Sequence, residues 1–317
     1  MGFYLDAKFD NYFDYREAVQ RWSLEHTLLS AGGFYGSVSV LDFGIVQLVK
    51  TGLGGVIKHR GLTPPGYRTF SLPIAVNQSW YFYNKQVDTN YIAAFPLHGD
   101  IDAITHKNFS FITLSIEEEY WENMLRHCNA IHLYKTLPRH ETIFDVNRPV
   151  LFYLNSYIQH LFDRIRLDSG LREAPGFKHN VTVKVPSLLI NYLDKQQLLE
   201  LPEFNRKRDI AFQSTVDYVA RNLKRNISVK ELCMNSSASL RSLETAFAER
   251  YNISPKAYIK AARLNQLRWE FQHAPKTRSI AEIAQEYGFH HLGQLSQDYK
   301  KLFGELPRET RKAIKVD

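Results

Sequence analysis

Two groups of polar side chains in the last third of the sequence carry the donors and acceptors needed to bind the edges of DNA bases. The first group is Arg241, Glu244 and Thr245, and the second is Gln294, Ser296 and Gln297. Arginine can pair with guanine through two hydrogen bonds, glutamine with adenine, glutamate with cytosine, and hydroxyls with several bases. The side chains placed to hold neighbouring phosphates are Ser239, His291 and Lys300. This chemistry predicts that one chain contacts DNA at two places.

Each group lies in one copy of a repeated helical unit. Residues 228–233 and 279–284 share the pattern Ser-x-x-Glu-apolar-small at an offset of 51. Further along the chain the offset becomes 52, so that Tyr251 aligns with Phe303. One inserted residue therefore separates the two registers, and we expect it in the turn between the two helices of a unit.

Capping and periodicity predict where the helices of each unit lie. Ser-x-x-Glu is a capping box, which places helix starts at Ser228 and Ser279. Gly288 suits the left-handed position that follows a short first helix. The second helices are predicted over residues 239–251 and 291–303, because apolar residues recur there at spacings of three and four.

A third helix is predicted between the two units. Ser254 and Pro255 form an N-cap followed by proline at the first helical position, and Pro275 ends the helix after Ala274. About 20 residues at 1.5 Å each give a length of roughly 30 Å. One turn of B-DNA is about 34 Å long. The connecting helix is therefore predicted to hold the two second helices in successive major grooves.

These residues resemble the AraC/XylS family of transcriptional regulators. The matching motifs are Ser254-Pro255-x-x-Tyr258, Arg263-Leu264, Ile283-Ala284, Gly288-Phe289 and Phe303-Gly304-x-x-Pro307. The resemblance spans about residues 210–312, and Asn252 stands where the family has glycine. It implies two helix-turn-helix units that bind double-stranded promoter DNA and a surface that contacts RNA polymerase. The function it implies is sequence-specific transcriptional regulation, with activation the expected mode.

The charge distribution favours a nucleic-acid partner for the same region. Residues 207–317 hold 20 Lys and Arg against 12 Asp and Glu, a net charge of +8, whereas residues 1–206 hold 20 against 21, a net charge of −1. A phosphate backbone is the partner that this excess most simply serves. The alternative is a solvated helical surface, since lysine and arginine are good helix formers.

The first part of the chain predicts a β-rich domain, because short apolar or alternating runs are separated by turn residues. The predicted strands are Gly36–Leu41, Gly44–Lys50, Gly54–His59, Tyr67–Ile74, Trp80–Tyr83, Asn90–Phe95, Ile101–Ala103 and Phe109–Ile116. Strands at this spacing suggest a small barrel or jelly roll. The segments 60–66 and 95–99 resemble the family's cupin-like regulatory domain. The predicted fold class is α+β: an N-terminal cupin-like β-barrel with accessory helices and a C-terminal all-α tandem helix-turn-helix domain.

Two further helices are predicted between the barrel and the DNA-binding units, over residues 147–168 and 186–199. The family resemblance implies that such helices form a homodimer interface, and packing against the barrel is the alternative. Residues 201–208 are polar and broken by proline, which predicts a linker. The predicted domains are residues 1–170 for regulation, 171–208 for a helix and linker, and 209–317 for DNA binding.

The aromatic side chains of the predicted barrel could surround a small-molecule effector. They are Phe70, Tyr81, Tyr83, Tyr91 and Phe95, with Arg68 or Lys58 available to pair with an acid. The alternative is that the aromatics fill the core and that the two cations are solvated. The effector's identity stays open.

The sequence predicts no enzymatic activity and no cofactor. It contains no His-x-His pair, and His98 and His106 lie eight residues apart. No phosphate-binding loop, dinucleotide fingerprint or nucleophile elbow occurs. Cys128 and Cys233 are too few for a disulfide framework. The alternatives are a metal-dependent cupin-type enzyme fused to a DNA-binding domain and a protein that compacts DNA without sequence preference. With neither a signal pattern nor a run of 18 apolar residues, the expected location is the cytoplasm, away from membranes.

Overall fold

The computed structural model consists of a β-rich N-terminal half followed by a helical half. It describes residues 2–12, 14–15, 19, 24–32, 34–74, 79–83, 85–97, 99–137, 142–145, 148–195, 198–200 and 207–312. The strands are β1 (Phe3–Phe9), β2 (Leu24–Leu28), β3 (Gly36–Asp42), β4 (Val46–Leu53), β5 (Ile57–Leu62), β6 (Tyr67–Pro73), β7 (Ser79–Phe82), β8 (Lys85–Asp88), β9 (Tyr91–Ala94), β10 (Asp100–Thr105), β11 (Phe109–Glu117), β12 (Thr142–Asp145) and β13 (Leu198–Glu200).

The helices fall into two groups along the chain. The N-terminal half contains α1 (Glu118–His127), α2 (His132–Thr136), α3 (Arg148–Leu167), α4 (Pro175–His179) and α5 (Val185–Leu193), with a 3₁₀ turn at Ser169–Glu173 and a π turn at Asn180–Lys184. The helical half contains α6 (Lys207–Arg221), α7 (Val229–Ser236), α8 (Leu240–Tyr251), α9 (Pro255–His273), α10 (Ile280–Glu286), α11 (Leu292–Phe303) and α12 (Pro307–Lys312). Among the described residues, no helix is long and apolar enough to cross a membrane.

The strands form two antiparallel sheets. The larger has the order β1-β3-β4-β11-β6-β9-β12-β13, and the smaller has the order β2-β5-β10-β7-β8. Among the described residues the two sheets do not join into a closed barrel, so the barrel alternative is wrong, whereas two separate sheets agree with the jelly-roll alternative. The order of a β-rich half and a helical half is confirmed. All eight predicted strands occur, with ends shifted by up to three residues.

Two apolar cores hold these layers. One fills the space between the sheets and continues into the helical half. The other lies between the outer face of the larger sheet and α1, α3, α4 and α5, where the Phe70 and Trp121 rings are 5.1 Å apart. Phe70 therefore points away from the space between the sheets, so it does not surround an effector cavity there.

The helices between the β-strands and the DNA-binding units differ in part from expectation. The helix predicted over 147–168 is α3, and it buries Leu154 and Ile158 against the sheet while Phe152 and Leu167 are 73% and 86% exposed. The helix predicted over 186–199 is wrong at its end, because helical structure stops at Leu193. Residues 198–200 form β13, which pairs with β12 and so gains backbone hydrogen bonds that an isolated helix end lacks.

Candidate nucleic-acid interface

The two predicted units are present, and the same capping geometry begins each. The Ser228 hydroxyl accepts a hydrogen bond from the Glu231 amide at 3.1 Å, and the Glu231 carboxylate accepts one from the Ser228 amide at 3.3 Å. At Ser279 and Glu282 the equivalent distances are 3.2 and 2.6 Å. Both capping boxes are confirmed, and they orient α7 and α10 in the same way relative to the chain that precedes them.

The inserted residue lies in the turn of the second unit. Ser237 has a φ of 52° and Gly288 a φ of 80°, so the left-handed residue that ends the first helix occurs at an offset of 51. The N-caps of the next helices, Ser239 and His291, occur at an offset of 52. The extra residue is therefore within 289–290, as expected from the slip in register.

The second helix of each unit, α8 or α11, buries one apolar stripe. Leu243, Phe247 and Tyr251 are buried in α8, and Leu295, Tyr299 and Phe303 are buried in α11. The first member of each predicted stripe is the exception, since Leu240 and Leu292 are 44% and 43% exposed. Both leucines lie about one helical turn before the first buried residue of the stripe, at equivalent positions of the repeat. The opposite faces of α8 and α11 remain available to a partner.

Most of the predicted DNA-contacting residues lie on those open faces. The exposed ones are Ser239, Arg241, Glu244 and Thr245 at α8, and His291, Gln294, Gln297 and Lys300 at α11. Ser296 is half-buried, and its hydroxyl donates to the Leu292 carbonyl at 2.8 Å. The Ser239 hydroxyl accepts from the Ser242 amide at 3.2 Å, so its remaining proton is free to bond outward. The predicted residues thus form two separate groups, one at α8 and one at α11.

The charge of the helical half is partly neutralised by ion pairs. Lys224 pairs with Glu286 at 2.8 Å and Lys260 with Asp298 at 2.9 Å. Within residues 207–312, several exposed cations have no carboxylate within 4.0 Å. They are Lys207, Arg221, Lys230, Arg241, Lys256, Lys276, Lys300, Lys301, Arg308 and Lys312. The sequence analysis selected two of these ten, because the pairing of a cation depends on contacts between helices that the sequence does not display.

The connecting helix α9 is confirmed, and it packs against both units. Its 19 residues give a length of about 28 Å. On the first unit, the Tyr258 ring stacks on Tyr251 with centroids 5.1 Å apart and planes at 3°. On the second, Phe271 lies 5.9 Å from the Tyr299 ring. The two units therefore both pack on the same helix.

Two arginines hold the C-terminal end of α9 in place. The Arg268 side chain is buried, pairs with Glu305 at 2.9 Å and lies over the Phe303 ring at 4.7 Å. Arg311 donates to the carbonyls of Phe271 and Ala274 at 3.0 and 2.9 Å, which occupies acceptors that the helix end leaves open. These contacts fix the second unit relative to the connecting helix.

The capping carboxylates have altered acidity. A hydrogen bond from the Tyr218 hydroxyl, followed by one from the Ser228 amide, lowers the pKa of Glu231. At Glu282 the Ser279 amide is the main cause of a lowered pKa. Both carboxylates are therefore held in the ionised form that the capping box requires.

The N-terminal half contains a small apolar cavity of about 70 Å³ between its sheets. His26 and His59 border it. Their Nδ1 atoms are 2.9 Å apart, and burial lowers the pKa of His59 to about 4. The Trp80 indole N–H also borders it and has no acceptor among the described residues. Of the five aromatics predicted to surround an effector, Phe95 lines this cavity.

The two predicted effector cations lie elsewhere. Arg68 donates to both carboxylate oxygens of Glu118 at 2.8 and 3.2 Å, so it is already paired. Lys58 is buried and lines a separate cleft of about 430 Å³ between β2, β5 and the helices α6 and α9. Burial lowers the pKa of Lys58. Neither cation lines the cavity between the sheets, and the alternative that both are solvated is wrong, because both are buried.

No group of three or more His, Cys, Asp or Glu side chains with metal-binding geometry occurs among the described residues. His106 instead faces two backbone carbonyls, those of Ser79 at 2.9 Å and Arg250 at 3.1 Å. His98, the other histidine considered from the sequence, lies outside the described residues.

Comparisons with known proteins place the similarity in the helical half. A helix-turn-helix domain model matches residues 232–313. The XylDLEGF operon transcriptional activator of Pseudomonas putida is 37% identical over 128 residues, which are 38% of this chain and 40% of that protein. XylDLEGF operon transcriptional activator 2, from the same organism, is 39% identical over 101 residues, 31% of this chain and 64% of that protein.

Among solved structures, a probable AraC family transcriptional regulator from Rhodopseudomonas palustris covers 33% of this chain and 98% of that chain, at 27% identity and a TM-score of 0.32. The chain spans about 40% of the length of the first P. putida relative. The similarity that these comparisons share is that of a helix-turn-helix DNA-binding domain in a transcriptional regulator.

Proposed function

We propose, from the AraC/XylS-type helix-turn-helix domain that this chain contains, that the protein is a sequence-specific transcriptional regulator. One observation carries the proposal: two helix-turn-helix units present exposed polar faces from α8 and α11, on a shared support about 28 Å long. That length is close to one turn of B-DNA, about 34 Å. A single chain would therefore contact two successive major grooves.

The base contacts are assigned to the exposed face of each second helix. Arg241, Glu244 and Thr245 contact one groove, and the residues of α11 that contact the next are Gln294, Ser296 and Gln297. Ser296 has the weakest support, because its hydroxyl already bonds within its helix. The phosphate contacts are assigned to Ser239, His291 and Lys300, which are exposed near these faces. Phosphate contacts position the protein, and base contacts choose the site.

The two half-sites should differ in sequence. The exposed run of α8 begins Arg241-Ser-Leu-Glu-Thr, and the aligned run of α11 is Gly293-Gln-Leu-Ser-Gln. Arginine and glutamine favour different bases. The binding site of one chain is therefore asymmetric.

The N-terminal half, residues 1–170, is assigned a regulatory role, with residues 171–208 as connecting helix and linker and residues 209–317 as the DNA-binding domain. A small, mainly apolar effector would suit the cavity between the sheets. Homodimerisation would use the exposed apolar side of α3, where Phe152 and Leu167 are solvent-exposed. By analogy with relatives named as transcriptional activators, the promoter-bound protein activates by contacting RNA polymerase.

Selection from random-sequence DNA tests this function. The full-length protein is expected to enrich one asymmetric site and to bind it about 10³-fold or more tightly than unrelated DNA of the same length. A protein that compacts DNA without preference would enrich no site. Affinities within about tenfold of each other for selected and unselected DNA would contradict the proposal.

A further inference from the structure

The N-terminal half hydrogen-bonds the C-terminal ends of both DNA-contacting helices. The Tyr81 hydroxyl donates to the Glu249 carbonyl of α8 at 3.1 Å. The Gly32 amide donates to the Lys301 carbonyl of α11 at 2.9 Å. The last carbonyls of a helix have no partner within it, so they are strong acceptors for groups from outside.

These two carbonyls occupy the same position in the repeat. Glu249 and Lys301 are separated by 52 residues, the offset that relates the two second helices. In both copies the preceding carbonyl is bonded locally, since Ala248 accepts from the Asn252 amide at 3.0 Å and Lys300 accepts from the Gly304 amide at 2.9 Å. The next carbonyl is the one that the N-terminal half binds. The docking thus matches the internal symmetry of the DNA-binding units.

At α8 the contact is reinforced by a histidine. The Nε2 atom of His106 is 3.1 Å from the Arg250 carbonyl, next to the Tyr81 contact. The Tyr81 and His106 rings meet edge-on with centroids 6.0 Å apart, and the Arg250 guanidinium lies 5.5 Å from the Tyr81 ring. Tyr81 is only 5% exposed, and the bond that it donates to α8 is part-buried.

The connecting helix is attached to the same half through its middle. The Asn265 carboxamide accepts from the Leu28 amide at 3.1 Å and donates to the Leu28 carbonyl at 2.9 Å. Leu28 ends β2, an edge strand, so the asparagine side chain replaces a missing strand partner. Arg60 of β5 also pairs with Asp217 of α6 at 3.1 Å. Helices α6, α8, α9 and α11 therefore all bond to one body.

This docking leaves the DNA-contacting faces open. Arg241 and Thr245 lie in the first half of α8, whereas the N-terminal half binds the last turn of that helix. In α11, Gln294 and Gln297 are likewise exposed while Lys301 is engaged through its carbonyl. The N-terminal half consequently holds the helices without covering the residues assigned to the bases.

We propose that Tyr81, His106, Asn265 and the Gly32 amide form a clamp that fixes the angle between α8 and α11. The clamp sets which spacing of half-sites the protein accepts. This inference rests on the proposed DNA-binding function and goes beyond it, because it assigns the N-terminal half a part in choosing the site. Adding one base pair between half-sites rotates one of them by about 35° and moves it by about 3.4 Å. Two helices held at a fixed angle bind DNA of altered spacing weakly. Two helices released from the clamp bind it less weakly, because they can adjust to the new positions of the half-sites.

A set of DNAs with altered spacing tests the clamp. The operator selected by the full-length protein is compared with versions that have one base pair added or removed between the half-sites, by gel shift at fixed salt. For each protein, the affinity for the selected operator divided by the affinity for an altered operator measures its preference for spacing. Tyr81→Phe keeps the ring and removes the hydroxyl donor, and Asn265→Ala removes the bonds to β2. Tyr81→Phe is expected to lower that ratio about fivefold, the size of one hydrogen bond's net contribution. Asn265→Ala removes two bonds to Leu28 and is expected to lower it at least as much, and both variants should change binding to the selected operator itself less.

Tyr120→Phe is the matched control. Its hydroxyl also donates to a backbone carbonyl at 3.1 Å, that of Thr182, within the N-terminal half. Its spacing preference is expected to equal the wild type's. An unchanged ratio in both Tyr81→Phe and Asn265→Ala overturns the clamp, as does an equal loss in Tyr120→Phe. In those cases the wild-type protein still selects an operator, whereas failure to select any operator overturns the proposed function and the clamp with it.

Discussion

Replacing Asp209 by asparagine should destabilise the helical half by about 3 kcal/mol, because it leaves the buried guanidinium of Arg250 without its close counter-ion. The Arg250 side chain is 4% exposed, and Asp209, which pairs with it, is 19% exposed. Its other contacts are weak replacements: the exposed Glu249 carboxylate at 4.0 Å, one bond to the Ala246 carbonyl at 3.4 Å, and the Phe212 and Tyr81 rings 4.6 and 5.5 Å away. The Nε atom has no acceptor among the described residues. Water can reach Asp209 in part, which places the loss at the lower end of the range for a broken buried pair.

Urea unfolding followed by circular dichroism measures this loss. Glu286→Gln is the matched control, since it neutralises a carboxylate whose ion pairs with Lys224 and Arg278 lie at the surface, and it should cost at most about 1 kcal/mol. The double variant Asp209→Asn/Arg250→Met removes the stranded charge as well. It should recover at least half of the lost stability. A loss below about 1 kcal/mol for Asp209→Asn, or a double variant less stable than the single one, would refute the reasoning.

Three further predictions follow from the interface. Arg241→Ala should weaken binding to the selected operator by about 1–3 kcal/mol in a gel-shift titration, because it removes a paired contact with a base. Lys300→Ala should weaken binding to all DNA alike and reduce the slope of log affinity against log salt by about one, because it removes a phosphate contact. The capping hydrogen bonds lower the pKa of Glu282, so its contribution to stability is complete above the ordinary glutamate pKa and is lost as pH falls through the lowered value. Glu282→Gln keeps the capping bonds and should flatten the loss of thermal stability between about pH 5 and pH 3.

Each of these predictions has a contradicting outcome. Equal affinity of the wild type and Arg241→Ala for the selected operator would remove that residue from base contact. A salt slope unchanged in Lys300→Ala would remove Lys300 from the phosphates. Melting temperatures of Glu282→Gln that fall with acid as steeply as those of the wild type would show that this carboxyl does not govern the acid response.

In the helical half, α7 to α11 could be predicted from the sequence almost to the residue. Helices α6 and α12 were missed, and α6 begins at Lys207, inside the predicted linker 201–208. Capping boxes and apolar spacing are local signals, and they located the starts of α7 and α10 and both ends of α9. The left-handed residues at Gly288 and Asn252 also followed from residue type. These features depend on neighbours within one helical turn, which the sequence displays directly.

The N-terminal half was only partly predictable, because strand pairing is non-local. β1 was missed, although its residues alternate, since its place is set by pairing with β3. β13 was mistaken for the end of a helix, since Leu198 and Leu199 suit either structure until β12 provides a partner. The predicted effector aromatics were mostly misplaced for a related reason. Phe70 faces the helices because α1 covers its side of the sheet, and the sequence does not show which side a helix will cover.

The clamp between the halves had no signal in the sequence. Its acceptors are backbone carbonyls, such as those of Glu249 and Lys301, whose side chains say nothing of the contact. The repeat offset of 52 identifies the two positions as equivalent, but only after the structure has shown that both are bonded.

The central claim is that one chain occupies two successive major grooves of one asymmetric site. Chemical protection of guanine and adenine N7 on the selected operator, with the full-length protein bound, tests it most directly. The account predicts two protected patches about 10 base pairs apart on the same face of the duplex, with different sequences. Arg241→Ala should remove protection in one patch and leave the other. A single patch per chain, or weak protection spread evenly along the DNA, would contradict the account.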